Sequence, residues 1–195
     1  MRKVFITAFT IIALFCLVAC TGSPPLWETA EIPERTPQLY VSVHMEDSPI
    51  QQLRVAQLST DWDPNIGADG NLVGDGPWTG GFSASADHPL DFFLLDSNDS
   101  DRFIFYLNGA DGKIELQFGD NFPPDSIFVR RWNAEFAVSV NGGGSDMALW
   151  SQYEFVEVTD NIIRIRNDGN DYIYEVDAIW PQGRSSFTFR IDSAR

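Results

Sequence analysis

The sequence has few of the residues that carry most enzyme chemistry. Cysteine occurs twice in 195 residues, and both cysteines lie within the first 20. The rest of the chain therefore holds no disulfide and no thiol nucleophile. His44 and His88 stand far apart, so they do not form a local zinc pair of the HExxH kind, and no GxSxG nucleophile elbow is present. These absences favour a protein that is not an enzyme.

Positive charge is also scarce. Lysine and arginine number 13 against 28 aspartate and glutamate residues, which gives a formal net charge of -15. Proteins that bind nucleic acid need a basic surface to neutralise phosphates, so this balance argues against such a partner. With 44% hydrophobic and 21% charged residues, the composition is that of a globular protein, and the length suits one domain.

Helical periodicity is missing after the first 20 residues, whereas apolar residues often alternate with polar ones. This pattern predicts strands over residues 39–45, 53–58, 102–107, 113–118, 126–132, 162–166, 172–180 and 187–191. Residues 102–107 and 113–118 flank an Asn-Gly-Ala-Asp-Gly turn, which predicts a hairpin. Short strands between Gly, Pro, Asn and Asp turns predict an all-β fold, an antiparallel β-sandwich of the immunoglobulin-like or jelly-roll-like kind.

The N-terminal segment has the features of a secretory signal. Arg2 and Lys3 precede an apolar run that continues to Cys20. The tetrapeptide Leu17-Val18-Ala19-Cys20 resembles the lipobox of bacterial lipoproteins. The resemblance implies cleavage before Cys20 and a covalent diacylglycerol lipid on its thiol, with two acyl chains that anchor the protein stably. An ordinary cleaved signal and an uncleaved anchor are the alternatives.

These features predict three parts of the chain: a signal peptide over residues 1–19, a lipidated cysteine with a Pro-rich linker over residues 20–38, and one β-sandwich domain over residues 39–195. Without Arg2 and Lys3 the mature chain has a formal charge of -17. An acidic body is repelled by anionic lipids, so the lipid rather than a basic patch would hold the protein at the membrane. We expect it on the extracytoplasmic face of the cell membrane, in an envelope of either Gram type.

Residues 63–81 form a Gly-rich segment that breaks the strand pattern, and long loops of this kind are often functional. Trp62 and Trp78 flank it, and exposed tryptophans next to carboxylates are suited to binding sugars or protein partners. Asp61, Asp63 and Asn65 have alternating spacing and are calcium candidates. The EF-hand template fails because Ile66 and Leu72 stand at its Gly and Glu positions, and solvated turn residues are the simpler interpretation.

Four further patterns are similar to those of an uncharacterised group of small lipoproteins from Gram-positive bacteria. They are Ser59-Thr60-Asp61-Trp62; Asp87-His88-Pro89-Leu90; Leu116-Gln117-Phe118 with 124–127 and 131–132; and 172–176 with Trp180, Gly183 and 187–189. The resemblance implies a secreted, lipid-anchored β domain. We therefore expect a non-enzymatic binding module whose partner is a protein or an envelope glycan. The alternative is a carbohydrate-binding or carbohydrate-active domain that uses Trp62, Trp78 and loop carboxylates.

Overall fold

The structure is a computed structural model that describes residues 31–45, 49–67, 82–84, 88–94, 100–107, 111–137 and 146–193. The chain divides into two compact units, Met1–Glu31 and Ile32–Arg195, and the second contains all the strands described below. The predicted signal peptide, Cys20, Trp78 and residues 68–81 of the Gly-rich segment lie outside the described residues.

Two packed β-sheets form the second unit, which confirms the predicted all-β sandwich. The strands are β1 (Leu39–Met45), β2 (Gln51–Arg54), β3 (Ala56–Trp62), β4 (Phe82–Ala84), β5 (Ile104–Tyr106), β6 (Gly112–Phe118), β7 (Ser126–Asn133), β8 (Glu154–Val156), β9 (Ile162–Ile165), β10 (Tyr172–Trp180) and β11 (Gly183–Asp192). The small sheet has the order β2-β1-β6-β9, and the large sheet has the order β4-β3-β11-β10-β7-β8 with β5 beside β11. All pairs are antiparallel except β5 with β11.

The core lies between the sheets, where alternate residues of each strand meet. Val41 and Val43 of β1 and Ile114 of β6 are fully buried from the small sheet, and Val176 of β10 and Phe187 of β11 are fully buried from the large one. Aromatic rings join the two layers. The Phe118 ring on β6 meets the Trp180 ring on β10 edge to face, with 5.6 Å between centroids. The period-two alternation of the sequence therefore marks the inward faces correctly for these strands.

The predicted hairpin of residues 102–107 with 113–118 is wrong. Strand β5 lies parallel to β11 in the large sheet, whereas β6 pairs with β1 and β9 in the small sheet. Residues 53–58 are likewise two strands rather than one, because the chain leaves the small sheet at β2 and enters the large sheet at β3, with Val55 buried between them. Alternation in the sequence shows which side of a strand is buried. It does not show which strand is the neighbour or which of the two sheets the strand belongs to.

A second apolar cluster covers part of the outer face of the large sheet. The helix α1 (Pro89–Leu94) places Leu90 against Trp132 of β7 and Ile173 of β10, and all three side chains are buried. Partly buried side chains surround them: Phe93, Phe136, Ala137, Leu149, Trp150 and Tyr153. The helix is six residues long, and within the described ranges no helix has the length and apolar character to cross a membrane.

The compact unit begins at Ile32, ahead of the predicted domain start at Leu39. The indole N–H of Trp62 donates to the carbonyl oxygen of Pro33 over 3.1 Å, and the Gly119 amide donates to the carbonyl of Gln38 over 2.8 Å. Pro37 is buried. Residues 33–38 thus have backbone and side-chain contacts with the sandwich.

Candidate functional site

The outer face of the large sheet carries a polar cluster next to the cover formed by α1. On β10 the outward residues change along the strand, from the buried Ile173 through Glu175 and Asp177 to the exposed Ile179. Arg130 on β7 lies beside Glu175 in the register. One of its terminal nitrogens, Nη2, is 2.8 Å from Glu175 Oε2 and 2.7 Å from Asp177 Oδ2. A single guanidinium therefore joins two carboxylates.

Two neighbouring groups complete this cluster. The hydroxyl of Ser186 on β11 donates to the other carboxylate oxygen of Asp177. The guanidinium carbon of Arg130 lies 5.8 Å from the ring centroid of Trp132 and 5.4 Å from that of Tyr153, within the range of cation–π attraction. The arginine is therefore held by charge on one side and by aromatic rings on the other.

Glu175 is unusual because it is a carboxylate with 8% of its surface exposed. Burial and the nearby charge of Asp177 together raise the pKa of Glu175 to about 7, against the opposing effect of Arg130. The side chain is consequently divided between its charged and neutral forms at neutral pH. Such a group can accept hydrogen bonds when ionised and donate one when protonated.

His88 directly precedes α1, and its ring contacts two tryptophan rings. Its ring is parallel to that of Trp150, with 4.4 Å between centroids and 5° between planes, and it meets the Trp132 ring edge to face at 5.0 Å. The Leu90 amide donates to Nδ1 of His88 over 3.2 Å. Burial lowers the pKa of His88 to about 4, with Arg130 adding to the shift and Asp91 opposing it. The ring is therefore neutral at pH 7 and carries its proton on Nε2.

A cavity of about 410 Å³ lies between the rings of His88 and Trp150 and the outer face of the large sheet. Among the described residues, those that line it are Leu58, Ser59, His88, Pro89, Asp91, Trp150 and Glu175. The pairing of β3 with β11 shifts register beside it, between Ser186 and Phe187. Such irregularities are frequent next to functional sites because they redirect side chains. The volume is within the range of small-molecule sites, and the walls combine apolar surface with a few polar groups.

The Trp150 wall is held in place by its own backbone. The indole N–H of Trp132 donates to the carbonyl oxygen of Trp150 over 3.0 Å. Asp146 begins the preceding 3-10 turn, Met147–Leu149, and its carboxylate accepts from the Ala148 amide over 2.9 Å. Because these bonds use the backbone of residues 148 and 150, the Trp150 ring can be changed without removing them.

The predicted binding tryptophans do not both fit an exposed surface. Trp62 is fully buried, and its ring packs edge to face on that of Trp180 with 5.5 Å between centroids. The prediction that Trp62 contributes to a ligand-binding loop is therefore wrong: the residue ends β3 with an inward orientation, and its indole N–H is bonded to Pro33. Trp78 lies outside the described residues.

The calcium candidates have local partners. One oxygen of Asp63 accepts from the Asn65 amide over 2.9 Å and from its side-chain nitrogen over 2.8 Å. This is the geometry of an Asx turn, and it accounts for the Asp-x-Asn spacing by itself. Asp61 is exposed on β3. In the part of the chain that the structure describes, no three His, Cys, Asp or Glu side chains are grouped so that they could hold a metal.

A larger cavity, of about 570 Å³, lies beside β8 and β9. Among the described strands, β8 pairs with β7 alone and β9 with β6 alone, so both are edge strands. Charged residues of both signs line the cavity: Arg131, Glu157, Asp160, Arg164, Arg166 and Asp168. Of these residues only Arg164 lies within an edge strand, where a charge hinders pairing with another chain. The smaller cavity on the outer face is the better candidate site because it borders the buried carboxyl group of Glu175.

Sequence reasoning did not identify Glu175, Asp177 or Arg130. The signal was present, because Glu175 and Asp177 occupy alternate positions within an otherwise apolar strand, Tyr172–Trp180. It was obscured by the number of carboxylates in the chain. No feature of the sequence indicated that His88 is half-buried against the rings of Trp132 and Trp150.

Comparison with known proteins adds no relative. No protein-family model, curated protein or solved structure matches the chain.

Proposed function

We propose that this chain is a lipid-anchored, extracytoplasmic binding module that takes its ligand on the outer face of the large sheet. The lipid anchor is proposed from the N-terminal sequence: the basic pair Arg2 and Lys3, the apolar run that follows, and the lipobox ending at Cys20. A lipid on Cys20 would hold the sandwich at the membrane surface, within reach of envelope polymers and membrane proteins.

The cavity lined by Glu175, His88 and Trp150 is the observation that supports binding. A charged group with little solvent exposure is unfavourable for folding unless it is well paired, and an apolar residue would pack there without that penalty. Glu175 has Arg130 as its ion-pair partner and keeps a raised pKa. Perturbed carboxyl groups that border a cavity are typical of functional sites.

The test measures retention of the full chain by envelope material. The protein is extracted from membranes in detergent and mixed with envelope fragments that have been stripped of lipid. Trp150→Leu alters the cavity wall, and Tyr40→Ser alters an exposed ring of the small sheet as the matched control. We expect Trp150→Leu to reduce retention about tenfold and Tyr40→Ser to leave it unchanged. Equal retention of both variants and the unaltered protein would contradict the proposal.

A carbohydrate ligand is the second candidate, and the aromatic residues beside the cluster favour it. Tyr153 and Phe155 follow Trp150 along the chain, their rings meet edge to face at 5.2 Å, and Phe155 is 72% exposed. Sugars pack on aromatic rings while carboxylates and arginine bind their hydroxyl groups. This candidate predicts that neutral oligosaccharides compete for retention, and that Phe155→Ala weakens the competition.

A further inference from the structure

We infer that the outer-face cavity binds a cationic group, a primary ammonium carried by the ligand, between Glu175 and the ring of Trp150. The inference rests on the proposed function and specifies the chemistry that its site selects. Three features support it: the charges around the cavity, the aromatic wall and the surroundings of the buried carboxyl group.

Among the described side chains around this cavity, carboxylates outnumber cations. Glu175 and Asp91 line it, and Asp177 lies next to Glu175 on the same strand. Arg130 is bonded to Glu175 and Asp177, and one of its nitrogens is shared between the two carboxylates. His88 lines the cavity as a neutral ring at pH 7. An anionic ligand would be repelled here. A cationic ligand would pair with Glu175, which shares the positive charge of Arg130 with Asp177.

The aromatic wall is also suited to a cation. Trp150 lines the cavity, and the neighbouring Trp132 and Tyr153 already lie within 6 Å of the Arg130 guanidinium. Attraction between a cation and an aromatic face strengthens when both are removed from water. The aromatic rings of this cluster already contact the guanidinium of Arg130, and Trp150 would contact the ammonium group of the ligand in the same way.

The ionisation of Glu175 links binding to pH. The charged and titratable groups that face it are Arg130 from β7, Asp177 from β10, and His88 and Asp91 from the start of α1. The partners that face this cluster from β3 and β11, Ser59 and Ser186, are uncharged. An ammonium group favours the ionised carboxylate, so it lowers the pKa of Glu175 and binds more tightly as pH rises through 7.

The experiment compares two probes with the same carbon chain, the dication cadaverine and the neutral 1,5-pentanediol, on the full chain purified from membranes in detergent. Binding is measured from the chemical shifts of cavity residues. We expect the diamine to bind at least about tenfold more tightly than the diol, and its affinity to increase about tenfold between about pH 6 and about pH 8. Glu175→Gln should lower the diamine affinity about tenfold and remove the pH dependence.

Glu154→Gln is the matched control, because Glu154 is an exposed carboxylate that pairs with Arg131 outside the cavity. It should leave the diamine affinity unchanged. The inference is overturned by equal affinity for both probes, by affinity that falls as pH rises, or by equal losses in Glu154→Gln and Glu175→Gln. Denaturation curves confirm that each variant is folded, and Glu175→Asp, which retains the charge, should keep part of the affinity.

The two proposals fail in different ways. If the diamine does not bind while envelope retention still depends on Trp150, the ligand class is wrong and the binding function stands. If the diamine binds as expected while Trp150→Leu leaves envelope retention unchanged, the cavity binds cations and the envelope is not its partner.

Discussion

Glu175 faces outward from β10 and is nevertheless buried, because α1 and Trp150 cover the adjoining part of the sheet. Its ion-pair partner among the described residues, Arg130, is shared with Asp177. The charged form of Glu175 is therefore less stable in the folded protein than in water, and the pKa near 7 is the consequence. Burial lowers the pKa of His88, whereas it raises that of Glu175, so burial favours the neutral form of both side chains.

The raised pKa of Glu175 predicts how stability depends on pH. Between the ordinary value of 4.5 and about 7, the folded protein holds this proton more tightly than the unfolded chain does. Its contribution to the free energy of unfolding is fully present below 4.5 and is lost as pH rises through 7. From about pH 5 to about pH 8 the contribution of Glu175 should fall by about 2 kcal/mol. The lowered pKa of His88 contributes a gain of up to about 2 kcal/mol over the same range, which solvent screening at this half-buried group reduces, so the loss is read as the difference in pH dependence between the unaltered protein and Glu175→Gln.

Urea denaturation at both pH values measures this prediction. Glu154→Gln again serves as the control, because its carboxylate is 66% exposed and should show the pH dependence of the unaltered protein. A Glu175→Gln variant with the same pH dependence as the unaltered protein would mean that the carboxyl group is solvated in the folded state.

At the scale of elements, the β10–β11 hairpin positions the site. The two strands pair antiparallel over nine residue pairs. The hairpin aligns Glu175 and Asp177 with Thr188 and Ser186, and β7 adds Arg130 on the other side. The hydroxyl of Thr188 donates to the carbonyl of Tyr174 over 2.7 Å, which ties the two strands together beside Glu175.

Gly183 is required where this hairpin meets β3. It pairs with Trp62 and has a φ of +146°, and a Cβ atom there would overlap the carbonyl oxygen of Asp61 and lie 2.8 Å from its carbon. Gly183→Ala should lower the free energy of unfolding by about 3 kcal/mol or more, because backbone strain and atomic overlap add.

Gly169 is the control, because it has a φ of +81° and, its chain neighbours apart, a Cβ atom there would meet no atom of the described residues within 4 Å. Gly169→Ala should cost about 1 kcal/mol in the same denaturation measurement. Equal losses would contradict the role of close packing at Gly183.

The sequence predicted the elements with regular alternation and missed those whose structure depends on distant partners. Strands β1, β9 and β11 largely follow the alternation, because one face of each is buried in the core. The burial of β7 and β10 does not alternate, because the α1 cluster also covers part of their outer face. Strand β8 has three residues and two of them are exposed, so no pattern marks it. The helix α1 is too short for a period and is stabilised by its contact with Trp132 and Ile173.

The candidate site could not be predicted because it is assembled from three distant parts of the sequence. Arg130, Glu175 and His88 come from β7, β10 and the start of α1, and the register that aligns them depends on the whole large sheet. Trp62 was misassigned because a tryptophan next to a glycine-rich segment has the same local sequence whether it faces solvent or the core. Its burial is decided by Trp180 and Pro33, which are distant in sequence.

At the scale of the whole molecule, the acidic charge and the lipobox make one joint prediction about anchoring. A mature chain with a formal charge of -17 has no electrostatic attraction to anionic lipids, so membrane attachment would depend on Cys20. We expect Cys20→Ser to move the protein out of the membrane fraction and to remove diacylglyceryl from its intact mass. Ala19→Ser, next to the cysteine, should retain the lipid. Membrane attachment of Cys20→Ser without added acyl mass would contradict a lipid anchor.

A buried carboxyl group beside a cavity on the outer face of the large sheet is central to both proposals, and the titration of Glu175 tests it most directly. The side-chain carboxyl signal of Glu175 is followed by carbon NMR in the full chain, with Glu175→Gln identifying the resonance. We predict a midpoint at a pKa of about 7. A midpoint at the ordinary glutamate value of 4.5 would show that the group is exposed in solution, and the site would then not exist as described.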